Sequence, residues 1–519
     1  MKIKKLLTAV LFTALVLALA ACNSDSNTNT SGSNENKEGG HFVYVTASDA
    51  PTLDPHGMND TASTHATTQI FERLTDYNED GTVYGVLAEE FTPLDDTTWE
   101  FKLRQGVTFQ DGTDFTADAV KMSLDRLLDP ELASPKAVLL NMIEEVIVED
   151  EFTVIIKTAG PFAPLPAHLA HNAGSIVAPS AIEEEKNGGK TVDENPIGTG
   201  PFLLDEWNRG SEIKLKRNEN YWGNVPTIET MSFTVVPEQS TRMAMLESGE
   251  ANVALVGSSD VTQMESIPGI ELTHIRGTRM DYLGFNMNVE PFDNKLVRQA
   301  VSMAINKQDI IDGILEGHGI PAVGPLAPTV VGNYQGLTPL PYDVEEAKTL
   351  LEEAGYADGF TTTLFVREGN KELANIAVFI QSQLQQININ VDIQSIEWGT
   401  LLEKTGAGEH DLVLLGWTTV TADADNGLYS LFHSANLGPS GNRSFYKNER
   451  VDELLDYARS ETDQQKRNEA YKEVSEVLVD EVPMVYLQHP DFIYGTNGVE
   501  SGLYIDFSGI PYFKNVKLN

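Results

Sequence analysis

The chain has 519 residues, of which 77 are Asp or Glu and only 36 Lys or Arg, for a net charge of −41. A surface of that sign disfavours nucleic acid and anionic lipid as partners. Its single cysteine excludes a disulfide framework and a thiolate metal cluster, and its length exceeds what one hydrophobic core serves, so two or three domains are expected.

The chain opens with Lys2, Lys4 and Lys5, then an apolar run of about fifteen residues and the small pair Ala20-Ala21, the layout of a secretory signal peptide. The run is short for a membrane span and gives way to Ser, Asn and Gly instead of basic stop-transfer residues, so cleavage is expected. Leu19-Ala20-Ala21-Cys22 resembles the lipobox of bacterial lipoproteins, which implies that Cys22 carries lipid and becomes the N-terminus. Residues 23–40 read as a flexible tether with a reach of roughly 20–25 Å.

In the body, "TWEFKLRQGVTFQDG" alternates Trp99, Phe101 and Leu103 against Glu100, Lys102 and Arg104, the period of a half-buried strand, and turns at Asp111-Gly112. "FTADAVKMSLDRLLD" predicts a helix capped by Thr116, with Val120, Leu124 and Leu127 on one face. "SAIEEEKNGG" predicts a short helix with Ser180 and Glu183 as a capping box and Gly188-Gly189 as its stop. Further on come a strand over Thr361–Val366, a helix with Leu373, Ile376, Ala377, Ile380, Leu384 and Ile387 at helical spacing, and a strand with Ile389, Val391 and Ile393. A short helix near Trp398–Lys404 and the apolar run "DLVLLGW" complete a βαβ order, which predicts a doubly wound α/β lobe. Ligands of such sheets sit beyond the carboxyl ends of the strands, where Trp417, Thr418 and the acidic turn "TADADNG" fall.

Enzyme motifs are missing: there is no G-x-S-x-G, no H-E-x-x-H, no P-loop and no G-x-G-x-x-G after a strand, and the ten histidines are scattered. In the acidic turn Gly427 comes too early after Asp423 for a calcium loop, and no Glu closes it.

Together, "LDPH", "WEFKLRQGVTFQDGTDFTADAV", "NPIGTGPF", "NENYWG", "VRQAVSMAINKQDII" and the closing "KNERVDELLDYARSETDQQKRNEAYKEVSEVLVDEVPMVYL" resemble the family 5 extracellular solute-binding proteins of ABC importers, nearest to their glutathione- and dipeptide-type members. The resemblance implies an α/β, two-lobed clamshell with an extra small α+β domain. Lobe one would take residues 41–88, 197–290 and 491–519, the extra domain 89–196, and lobe two 291–490. Gly106, Gly112, Gly198 and Gly200 read as turn residues, and Trp99, Phe101 and Trp222 as core.

The same resemblance supplies candidate ligand contacts. Asp425, with Asp423 beside it, stands where peptide-binding members meet an α-ammonium, and a charge-assisted pair shielded from water suits that group. Dipeptide-binding members carry a carboxylate-binding arginine early in the helix where this chain has Asn375; Arg367, at the preceding strand end, is the candidate replacement. Tyr282, Asn286 and Asn288 lie near the expected crossing between lobes, where the asparagines would bond either a ligand or backbone. Trp398 and Trp417 are candidate apolar walls, and His56, Met58 and Asn59 follow the first strand toward the cleft. The implied protein is a monomeric, non-enzymatic lipoprotein without cofactor or bound metal. It would stand outside the bacterial membrane, capture a short peptide or glutathione-like solute, and deliver it to a permease driven by ATPase subunits. A nickel-chelate or haem receptor using His433 and Met58, a peptide-signal receptor and a tethered hydrolase are the alternatives.

Overall fold

The computed structural model describes residues 39–57, 60–79 and 81–519; Cys22, the signal segment, Met58 and Asn59 lie outside the described residues. Strand β1 (His41–Thr46) leads to helix α1 (Thr61–Ile70), whose N-cap Asp60 accepts from Ser63 N at 2.9 Å. Then β2 (Ala88–Asp95) and β3 (Thr98–Leu103) are joined through helix α2 (Ala117–Leu128) to β4 (Ile143–Asp150) and β5 (Thr153–Thr158). These four strands form a separate antiparallel sheet in the order β2-β3-β5-β4. Trp99, Phe101 and Leu103 point into its core with Val120, Leu124 and Leu127 of α2, as their periods predict.

Two capping expectations are corrected. Thr116 occupies the N-cap of α2, but its side chain makes no capping bond. The helix α3 (Pro179–Lys186) starts one residue before Ser180, because Pro179 has its φ preset for a first turn and no N–H to satisfy. Ser180 Oγ instead donates to Asp111 Oδ2 at 2.5 Å. Gly198 and Gly200 also differ from the turn reading: a Cβ at either would lie 2.2 or 2.5 Å from the carbonyl oxygen of Ile70 at the end of α1, so close packing is what requires glycine.

Next come β6 (Phe202–Asn208), β7 (Glu212–Arg217), β8 (Thr230–Val235), β9 (Val253–Leu255), β10 (Ile270–Arg276) and β11 (Arg279–Phe285). Helix α4 (Lys295–Met303) and β12 (Gly319–Pro321) precede β13 (Phe360–Arg367), α5 (Lys371–Gln385), β14 (Ile389–Ile396), α6 (Trp398–Ala407) and β15 (Leu412–Thr418). The chain then runs through α7 (Ala424–Phe432), α8 (Glu449–Ser460), α9 (Gln464–Glu481) and the long strand β16 (Met484–Asn497). Strand β13 is parallel to both β14 and β15, and the apolar stripe of α5 is buried on them, which is the βαβ arrangement the periodicity predicts.

One path of hydrogen bonds runs β14-β13-β15-β11-β16-β9-β1-β8-β7-β6, with β10 and β12 also on β16. The start of β16 pairs with β11 and β12, and its end with β9 and β10, so this strand is common to both lobes. Strand β11 pairs along its whole length with β15, so residues 279–285 share a sheet with β13, β14 and β15. Among the described residues no helix is long and apolar enough to cross a membrane.

Candidate functional site

A cavity of about 620 Å³ lies over the carboxyl end of β15. One wall comes from Asp60, Thr61 and Thr64 at the start of α1, from Val138–Met142 and from His168 and His171; Ser508 and Ile510 close one side. The other wall comes from Trp417 and Val420 after β15, Asn426 and Tyr429 on α7, and Arg459 in the last turn of α8. Beside it the two walls touch, where Ala163 N donates to Arg459 O at 3.2 Å.

"TADADNG" is the start of α7 and not a solvated turn. Asp423 is its N-cap, accepting from Asp425 N at 2.9 Å and from Arg467 Nη2 at 2.7 Å, and it is absent from the cavity wall. Asp425 does line the cavity, but its two oxygens are already taken: Oδ1 accepts from Arg459 Nε at 2.9 Å and Oδ2 from Arg459 Nη2 at 2.8 Å. His168 Nε2 lies 3.4 Å from the same Oδ2, and the guanidinium sits 3.5 Å over the Tyr429 ring. Burial alone would raise the Asp425 pKa; the charge and hydrogen bonds of Arg459, with His168, overcome it and hold the carboxyl well below its usual range.

The open anion is Asp60. Its Oδ1 caps α1, while Oδ2 is buried without a hydrogen-bond partner. Trp417 Nε1 is likewise buried and unpartnered on the facing wall.

The remaining expected contacts fall elsewhere. Arg367 lies over Trp398 at 4.8 Å, and Trp398 is 39% exposed; both belong to the end of β13 and the helix after β14, farther from the crossing strand than β15. Tyr282 packs in the core of β11. Asn286 is fully buried and its Nδ2 donates to Gly408 O and His410 O, each at 2.8 Å, so it pins the loop before β15; Asn288 N donates to Asn286 Oδ1 and its side chain is off the cavity wall. His56 is fully buried between Ser175 O and Arg126 Nη1, each 3.1 Å away, with its pKa lowered to about 4 chiefly by burial. Among the wall residues that the sequence reading missed are Asp60, His168, His171 and Arg459. A local signal existed for two of them: "DTAS" is an N-cap pattern, and Arg459 and Arg467 match the spaced pair Asp423 and Asp425.

Next to the cavity, Asp506 accepts from Ser508 N, Ser508 Oγ and Ile510 N, yet burial, with Asp76 adding, pushes its pKa up to about 6. A carboxyl raised in this way favours the folded state below its ordinary pKa of 3.8, and that contribution is lost as pH rises through about 6. About two units correspond to roughly 3 kcal/mol. Urea titrations at pH 4.5 and 7.5 should therefore show Asp506→Asn gaining on the wild type by about 1–2 kcal/mol more at the higher pH than at the lower; an equal effect at both would refute the assignment.

Residues 82–439 match the model of the bacterial extracellular solute-binding proteins, family 5 Middle. The chain belongs to this family. The glutathione-binding protein GsiB of Salmonella typhi is 35% identical over 454 residues, covering 86% of this chain and 88% of that protein. Among solved structures, the periplasmic binding protein DppA of Helicobacter pylori in complex with peptide STSA superposes with TM-score 0.83 at 31% identity, covering 92% of this chain and 98% of that one. The oligopeptide-binding protein AppA of Bacillus subtilis, in complex with a nonapeptide, gives 0.81 at 25%, covering 93% and 100%. This family 5 member thus has the two-lobed binding-protein architecture and serves an ABC importer as its substrate-binding protein, outside the cytoplasm.

Proposed function

We propose that this protein captures short peptides in the cavity over β15 and hands them to an ABC permease, held at the membrane by lipid on Cys22. The observation that carries the reading is the cavity itself. At about 620 Å³ it falls within the span of small-ligand sites and combines apolar surface from Val138, Met142 and Ile510 with the two unpartnered polar atoms, Asp60 Oδ2 and Trp417 Nε1. Because Asp425 is committed to Arg459, the α-ammonium of the peptide is assigned to Asp60. Peptide complexes of two structural relatives support the ligand class.

Glutathione is the second reading, favoured by the relatives at 35% identity. Among the described residues no three His, Cys, Asp or Glu side chains group to hold a metal ion.

Thermal unfolding of the full chain, purified in detergent, tests this against di- and tripeptides, both redox forms of glutathione, nickel-histidine and haem. A ligand at a hundred times its Kd adds about 2.7 kcal/mol of stability. A raised midpoint with peptides is expected; a shift with nickel-histidine or haem alone would overturn the reading. Mass spectrometry of the membrane-extracted protein should find a diacylated Cys22 as its first residue.

A further inference from the structure

Resting on the peptide reading, we infer that the cavity selects its ligand by charge: it takes neutral and cationic short peptides through an ammonium at Asp60, and discriminates against solutes with surplus carboxylates, glutathione included.

A census of the wall supports this. Among the described lining residues the ionisable side chains are Asp60, His168, His171, Asp425, Tyr429 and Arg459, with the Tyr429 hydroxyl pushed above its usual pKa by burial. Arg459 is the only Lys or Arg, and its guanidinium is tied side-on to Asp425. His168 Nδ1 donates to Leu139 O at 2.6 Å, and Nε2 faces the same Asp425 carboxylate instead of the open cavity. Burial, reinforced by Lys136 and Arg73, holds His171 well below the imidazole range, which leaves it neutral. Two further cations lie off the wall: Arg279, packed against Gly416, is tied to Asp281 Oδ1 at 2.7 Å, and the fully buried Lys136 donates to Pro55 O at 2.8 Å.

The two helix ends that face the cavity add little for an anion. The start of α1 is capped by Asp60 and the start of α7 by Asp423, so both N-termini already have carboxylates on them. A peptide zwitterion brings one ammonium for Asp60 Oδ2 and one carboxylate. Glutathione brings one ammonium and two carboxylates, and no uncommitted cation on the wall receives the second. The net charge of −41 works in the same direction during approach, since the whole field repels anions and attracts cations.

The test is isothermal titration of the full chain in detergent at low salt and pH 7.5 with Ala-Ala-Ala, Ala-Lys-Ala, Ala-Glu-Ala, N-acetyl-Ala-Ala-Ala and reduced glutathione. Ala-Lys-Ala and Ala-Ala-Ala should bind at least about tenfold more tightly than Ala-Glu-Ala and glutathione, a difference of about 1.4 kcal/mol. N-acetylation should weaken binding by a similar factor or more. Asp60→Asn, in which asparagine remains an equally good N-cap, should erase the preference for the free amine without lowering the melting point. Glutathione or Ala-Glu-Ala binding as tightly as Ala-Ala-Ala would overturn the charge selection while leaving the peptide reading standing. If no peptide binds, the peptide reading falls, and the selection with it.

Discussion

Replacing Arg459 with methionine should lower the unfolding free energy by about 3–5 kcal/mol at pH 7. Asp425 is only 1% exposed, and Arg459 supplies both hydrogen bonds that its carboxylate makes within 3.0 Å. Without that partner only His168 opposes burial, and the pKa of Asp425 should move upward. The pH dependence should therefore change sign. In the wild type Asp425 is held below its ordinary pKa of 3.8, so its contribution is present above that pH and lost as pH falls below it. In Arg459→Met the same carboxyl is raised, and stability should fall as pH rises. Adding Asp425→Asn to Arg459→Met should recover much of the loss, because the unpaired charge is gone. Urea unfolding of the single and double variants at pH 5 and 8 measures both effects; a loss below about 1 kcal/mol for the single variant would mean that desolvation already cancels the pair.

Arg298→Met should be at least as damaging to stability, by about 4 kcal/mol or more, with a smaller effect on ligand binding. This arginine is 1% exposed, and every bond it donates goes to backbone: Nε to Glu481 O and Val482 O at 3.1 Å, Nη1 to Phe292 O and Asp293 O at 3.0 Å, and Nη2 to Glu481 O at 2.8 Å. Methionine replaces most of the apolar stem and none of the donors, so four carbonyls would lose them at roughly 1–3 kcal/mol for each one left buried and unpaired. One of them belongs to Val482, a β-branched residue at φ +48 that ends α9 two residues before β16. Left-handed backbone is unfavourable for valine, and the guanidinium holds it there. Calorimetry alongside peptide titration separates the two effects; a variant that keeps its stability and loses binding would contradict this assignment.

What the chain disclosed before folding follows from the range of each interaction. The β13-α5-β14-α6-β15 order is legible because its periods are local, and Leu373 to Leu384 alone fix the buried face of α5. The same logic misleads at β11. Alternation of Tyr282, Asn286 and Asn288 against Leu283 and Phe285 suggests a strand with one open face, but β11 lies between β15 and β16 and is buried on both sides, so period two carries no information about which side meets a ligand. Arg367 does stand at the end of its strand; the order of strands in the sheet, which no local pattern encodes, removes it from the cavity. Asp425 reaches the cavity wall as its position after β15 suggests, whereas its partner lies 34 residues away on another helix. Asp60 can be read locally as a cap, but that one of its oxygens stays unpartnered emerges only when α1, α7 and the 137–142 segment close around the same space.

The long strand common to both lobes has one further consequence. Residues 484–490 of β16 set the pairing of one lobe and residues 491–497 that of the other, with no loop between them to absorb an error. Side chains along a strand alternate between faces, so inserting or deleting one residue near Pro490 would shift the register of one lobe against the other unless a bulge, like the one already at Leu487, took it up. Through this one strand the two lobes inherit their alignment as a single unit.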